Sequence, residues 1–141
     1  MRALDVNPFS PVGIDASQMR FLDVFLLYCL LQESPSLSQE EQAVADSNLK
    51  KVVAEGRRQG LDLIDQGAPR LMQDWAEQLF AELLPIAYWL DDSFGGDDYA
   101  SVIKQYYVSL LNPAQTLSGR ILALQQQEGG ADVLTKLSQG Y

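Results

Sequence analysis

A chain of 141 residues with formal net charge −9, 47% hydrophobic and 21% charged residues has the balance of one folded domain, long enough to bury roughly two-thirds of its unfolded surface. The acidic balance excludes nucleic acid and an anionic membrane surface as expected partners, because both need a basic footprint. One cysteine and no histidine exclude an internal disulfide and a zinc or copper centre; any metal would be a hard cation held by carboxylates, magnesium first.

Residues 1–7, MRALDVN, read as a strand, with Ala3, Asp5 and Asn7 on one face and Arg2, Leu4 and Val6 on the other. Residues 8–14 form a double-proline loop. A lone strand leaves its amides and carbonyls unpaired, so this one needs a sheet, and no second convincing strand is visible in the chain. The N-terminus has no signal-peptide pattern, and the longest apolar run, VFLLYCLL at 24–31, falls far short of the about 20 residues that span a bilayer. A cytoplasmic location is the expectation.

A first helix starts at Asp15, an N-cap completed by Gln18 as a capping box. From Met19 to Leu31 it is apolar nearly all round, which predicts a helix buried at the centre of the core. Cys29 is then a buried structural thiol. ESPS at 33–36 ends this helix. Ser38 and Glu41 form a second capping box, with Glu40 and Glu41 favoured by the helix dipole rather than set up for catalysis. That helix runs to about Glu55 and stops at Gly56.

The segment EGRRQGLDLIDQGAP, 55–69, reads as irregular, with glycines bracketing Arg57 and Arg58. Such a loop grips a phosphate or carboxylate in one reading. In the other, the arginines neutralise the dipole at a solvated helix end. Both stay open. Residues 69–90 form an amphipathic helix through Met72, Trp75, Leu79, Leu83, Ile86 and Leu90, which Pro85 should kink or split. DDSFGGDD at 91–98 is a turn; it lacks the ligand spacing and closing glutamate of a calcium loop, so its aspartates cap and solvate. Tyr99 to Leu111 is a further helix ended by Asn112–Pro113. A shorter one follows from Thr116, stopped by Gly129 and Gly130, and a weak one covers about 131–138. The sum is mainly α: a single five- or six-helix domain over 1–141, helical from 15 to 141, with one N-terminal strand. It contains no Ser-His-Asp set, phosphate loop, dinucleotide fingerprint or metal-ligand spacing.

Four collinear blocks carry a resemblance: RALDVNPFSPVGID running on into MRFLDVFLLYCLL, VVAEGRRQGL at 52–61, GGDDY at 95–99, and LLNPAQTLSGRIL at 110–122. Together they resemble the C-terminal region of bacterial, proteobacterial-type glutamate–cysteine ligase, and 62–94 matches by helical character alone. The resemblance implies an ATP-dependent, amide-forming ligase that makes γ-glutamylcysteine from L-glutamate, L-cysteine and ATP with magnesium, the first step of glutathione biosynthesis. It also implies that residues 1–7 are the last strand of an antiparallel catalytic sheet. Arg2 then matches the arginine of a Glu-X-Arg motif and approaches the ATP phosphates, while the metal-holding glutamate would lie just before residue 1. Arg2 is thus the one catalytic and ATP-binding candidate, with no metal ligand on this chain. The expectation is a chain inactive by itself, binding no cofactor, whose strand pairs with the missing N-terminal part or with a second copy. The alternative is a free-standing helical interaction module that binds a partner through that strand.

Overall fold

Two local capping boxes set the first two helices. Asp15 accepts from the amide of Gln18 at 2.8 Å while Gln18 accepts from the amide of Asp15, and α1 runs from Ala16 to Leu31. Ser38 and Glu41 repeat the arrangement at the start of α2, Gln39–Glu55. The computed structural model describes residues 4–128 together with Thr135 and Leu137. Among these, the remaining elements are strands β1 (Asp62–Asp65) and β2 (Ala68–Leu71) and helices α3 (Met72–Phe94), α4 (Asp98–Leu111) and α5 (Leu117–Glu128), with a 3-10 turn at Pro113–Gln115. The mainly helical architecture agrees with the sequence.

The core lies between α1, α3 and α4. Val24, Leu83, Ala87, Leu90, Ala100 and Ile103 are buried there, and Phe21, Phe25, Leu79 and Tyr99 close around them. The apolar period of α3 therefore does what its spacing predicts. Pro85 lies inside α3 without dividing it; its ring is exposed, so the lost backbone donor falls on the solvent side. Asp91, near the end of α3, is buried at 7% exposure, and its two carboxylate oxygens accept from the amides of Tyr99 and Ala100, each at 2.9 Å. One helix thus supplies the N-terminal cap of the next, across the Gly95–Gly96 turn.

Three expectations are corrected. First, α1 is not buried all round: Val24 alone is fully buried on it, and Met19, Leu26, Leu30 and Leu31 are exposed, as is Cys29. The helix rests on α3 and α4 with one side, and nothing among the described residues covers the other. Second, the segment read as irregular contains an antiparallel hairpin, so 15–141 is not wholly helical. Gln66 and Gly67 both take positive φ, 49° and 82°, as a two-residue hairpin turn requires. Leu61 and Leu63 face inward, in strand alternation, with Asp62 exposed between them. Third, residues 4–7 lie in no strand; residues 1–3 of that predicted strand, the Gly129–Gly130 stop and most of the predicted 131–138 helix lie outside the described residues.

The hairpin explains how α2 is held. The bond from the amide of Met72 to the carbonyl of Leu61 sets the register so that Ile64 and Pro69 turn their backbone groups outward. Pro69, having no N–H, suits that edge position. Ile64 finds both partners in one side chain, that of Asn48 on α2. On its other side the hairpin joins the core through a run of polar contacts. Arg70 pairs with Asp65 at 2.6 Å and donates to Gln78; Gln78 donates to Glu82 at 3.0 Å, and the Tyr28 hydroxyl on α1 donates to Glu82 at 2.7 Å.

Candidate functional site

Arg2 lies outside the described residues, and the structure shows instead how the loop 7–13 is fixed. Asn7 is 2% exposed, and its side-chain amide donates to Asp15 at 2.9 Å and to Gln18 at 2.8 Å. Its side-chain oxygen accepts from the amide of Phe9, and its own backbone amide donates to the Gly13 carbonyl at 2.7 Å. One buried residue therefore closes the loop 7–13 and seats it on the capping box of α1. Ser10 adds a bond to the Ile14 carbonyl, and Gly13, at φ +75°, brings the chain back against Val6.

The far side of the loop is held by α5. The guanidinium of Arg120 lies 3.8 Å from the centre of the Phe9 ring, a cation–π contact. The block around Arg120 is built to aim it. Asn112 caps the 3-10 turn through the Ala114 amide, and the Thr116 hydroxyl accepts from the Gly119 amide at 3.1 Å. Gly119 passes so close to the Pro113 and Ala114 carbonyl oxygens that a Cβ there would collide with both. The sequence signals these residues as a turn and helix start; their common purpose, fixing Arg120 against the N-terminal loop, appears only in three dimensions.

The double-arginine loop sits between two hollows. One, of about 260 Å³, is lined by Gly56–Leu61, the first turn of α3 and the Ser109–Leu111 end of α4, with Pro113 and Thr116. The other, of about 620 Å³, lies between the last turn of α2, the same arginines and Ser118. Arg58 pairs with Glu55 at 3.0 Å, as in the helix-end reading. The side chain of Arg57 has no ion-pair or hydrogen-bond partner among the described residues. The blocks 52–61 and 110–122 thus meet at this cleft, and the second of them reaches the N-terminal loop through Arg120. The block 95–99 serves the packing of α4 instead: Tyr99 lies against the core, and Asp98 pairs with Arg20 of α1 at the surface, at 2.7 Å.

The shifted titrations belong to structure. Tyr28 is raised by donating to Glu82, and Glu82 is lowered by accepting from Tyr28 and Gln78. Hydrogen bonds from Ser38 lower Glu41, and burial raises Tyr106. No group of three or more His, Cys, Asp or Glu among the described residues is arranged to hold a metal ion. No described helix is long and apolar enough to cross a membrane. The described arrangement fixes the loop 7–13 against α1 and α5 and places Arg57 and Arg58 at a cleft.

Comparison with known proteins adds the context. The family described as glutamate–cysteine ligase matches residues 1–52. The glutamate–cysteine ligase of Shewanella amazonensis is 49% identical over 129 residues, 92% of this chain and 24% of that protein. That of Shewanella pealeana is 51% identical over 144 residues, covering the whole chain and 27% of the relative. A crystal structure of glutamate–cysteine ligase from Francisella tularensis in complex with AMP superimposes with a TM-score of 0.87 at 29% identity, over 99% of this chain and 27% of that one. The chain spans about a quarter of the length of the relatives it matches.

Proposed function

Because the chain matches bacterial glutamate–cysteine ligases in sequence and in fold along nearly its whole length, we infer that it is the C-terminal helical part of such a ligase, a single helical domain over 1–141. The longer enzyme joins the γ-carboxyl of L-glutamate to the amine of L-cysteine, with ATP and magnesium, in the cytoplasm. The observation that carries this reading is the collinear match at about half identity over the full chain, supported by a fold match to a ligase crystallised with AMP.

In this reading ATP phosphorylates the γ-carboxylate, and the cysteine amine displaces phosphate from the acyl phosphate. Such a transfer depends on positive charge fixed around the moving phosphoryl group. The contribution of this chain is Arg2, directed at the ATP phosphates, and the support that holds its segment. Asn7, bonded to the start of α1, and Arg120, on α5, brace the loop 7–13 that follows Arg2 in the sequence. The N-terminal segment, of which residues 4–7 form no strand in this chain by itself, finds a strand partner only in the catalytic sheet of the longer protein, and the 141-residue chain alone forms no product.

The test compares ATP-dependent γ-glutamylcysteine formation by the longer ligase, by its Arg2→Gln variant and by the 141-residue chain. Full activity, a large loss of turnover and no activity, respectively, are expected. Product formed by the chain alone, or an unaltered Arg2→Gln enzyme, overturns the reading.

A further inference from the structure

We propose that the cleft at Arg57 and Arg58 is a binding site for a small free oxyanion, phosphate or carboxylate, separate from the ATP contact assigned to Arg2. Three observations converge there. Arg57 carries a guanidinium with no partner among the described residues, in a chain of net charge −9 where acidic side chains outnumber basic ones by 19 to 10. A cation left unpaired amid that surplus of carboxylates is held away from them by the loop. The loop also places both arginines on the walls of two adjoining hollows, of about 260 and about 620 Å³, room for a small metabolite beside a guanidinium fork. Finally, the hollows bring together two walls distant in sequence, the arginine loop on one side and the α4–α5 connection on the other, with Ser109, Thr116 and Ser118 as neutral polar lining.

The opposing charges are few. Asp74 lines the smaller hollow on its α3 wall, and Glu55 engages Arg58. An anion therefore sits against the loop wall, gripped first by Arg57, and Arg58 joins it by leaving an exposed ion pair worth little in water. The overall negative charge repels an approaching anion, so binding is weak at a distance and local at contact; added salt weakens it through the short-range term.

The experiment titrates inorganic phosphate and, separately, citrate into the 141-residue chain and into the longer ligase by calorimetry at low ionic strength. Saturable binding is expected in both, weakened about tenfold by Arg57→Gln through loss of a charged hydrogen-bonding group. Arg57→Lys keeps the charge but not the fork, and a smaller loss is expected. Glu55→Gln releases Arg58 and tightens binding. The Arg57 side chain is exposed and unpartnered, so its variants keep the thermal midpoint of the parent. Absence of saturable binding, or binding indifferent to Arg57→Gln, overturns the proposal. So does binding by the chain that disappears in the longer ligase, because a carboxylate of that protein then fills the cleft. Binding is read without turnover, so failure here leaves the ligase reading standing, and an inactive ligase leaves this one standing.

Discussion

Asn48 donates to the carbonyl of Ile64 at 2.7 Å and accepts from its amide at 2.9 Å, so one side chain on α2 takes up both backbone groups that Ile64, on the outer edge of β1, would offer to another strand. Lys51 approaches the Asp62 carbonyl beside it, at 3.5 Å. The pair is at once the attachment of α2 and the guard of a sheet edge. Replacing Asn48 by alanine removes both bonds and is expected to cost about 1–3 kcal/mol of stability. The bared edge should also promote self-association. Denaturant unfolding and size-exclusion chromatography measure the two effects, and a variant with the stability and elution volume of the parent contradicts this account.

A second prediction concerns the N-terminal loop. Asn7→Asp keeps the shape of the side chain but replaces two donated bonds with a carboxylate facing Asp15 and Gln18. The cost is expected at about 1–3 kcal/mol, because buried acceptors lose their donor. In the longer ligase the same change should raise the KM for ATP more than that for L-glutamate, through displacement of Arg2. Equal effects on both substrates would mean that Asn7 only stabilises the fold.

The Tyr28–Glu82 contact predicts a two-sided pH dependence. Glu82 is lowered in the folded chain, chiefly by the hydroxyl of Tyr28, so its contribution is present above the ordinary glutamate value of 4.5 and is lost as pH falls through the lowered one. Tyr28 is raised, chiefly by the same bond, so its contribution is complete below the ordinary tyrosine value of 10.0 and is lost as pH rises through the raised one. Tyr28→Phe should flatten the alkaline limb and weaken the acid limb of thermal midpoint against pH. A variant profile parallel to the parent at both ends would show that the bond carries no linkage.

Gly119 offers the sharpest steric test. A Cβ there meets the Pro113 and Ala114 carbonyl oxygens, so Gly119→Ala must displace the 3-10 turn or the start of α5, at an expected cost of about 1–3 kcal/mol. Gly67→Ala is a useful contrast: nothing lies near its Cβ, and its penalty is confined to the strain of positive φ. Paired thermal melts compare the two, and a Gly119→Ala chain as stable as the parent would contradict the crowding.

What the sequence disclosed and what it hid follow one line. The boxes at Asp15–Gln18 and Ser38–Glu41 are legible because the rule acts over three residues, and the stop at Asn112–Pro113 because proline acts on its neighbour. The cap of α4 is not legible, since Asp91 reaches eight and nine residues ahead across a turn. The hairpin was missed, because its strands are four residues each and the glycines around Arg57 and Arg58 made the whole of 55–69 read as irregular; the alternation of Leu61 and Leu63 and the Gln66–Gly67 turn are the signals that mark it. The exposure of Met19, Leu26 and Leu30 was beyond reach, because an apolar face does not encode whether anything covers it. At the candidate site, the paired arginines stood out at once, whereas the Phe9–Arg120 contact joins residues over a hundred positions apart.

α2 contributes no fully buried side chain among the described residues, whereas α1, α3 and α4 share a sealed core. Cooperativity should therefore divide the molecule. Opening of α2 with the outer edge of the hairpin exposes little apolar surface and needs little energy, while opening of the three-helix centre needs the full global amount. Native-state amide exchange then ranks Ile64 and the α2 backbone well ahead of Leu83 and Ile103. The arginine loop, lying between α2 and the hairpin, belongs to the tier that breathes.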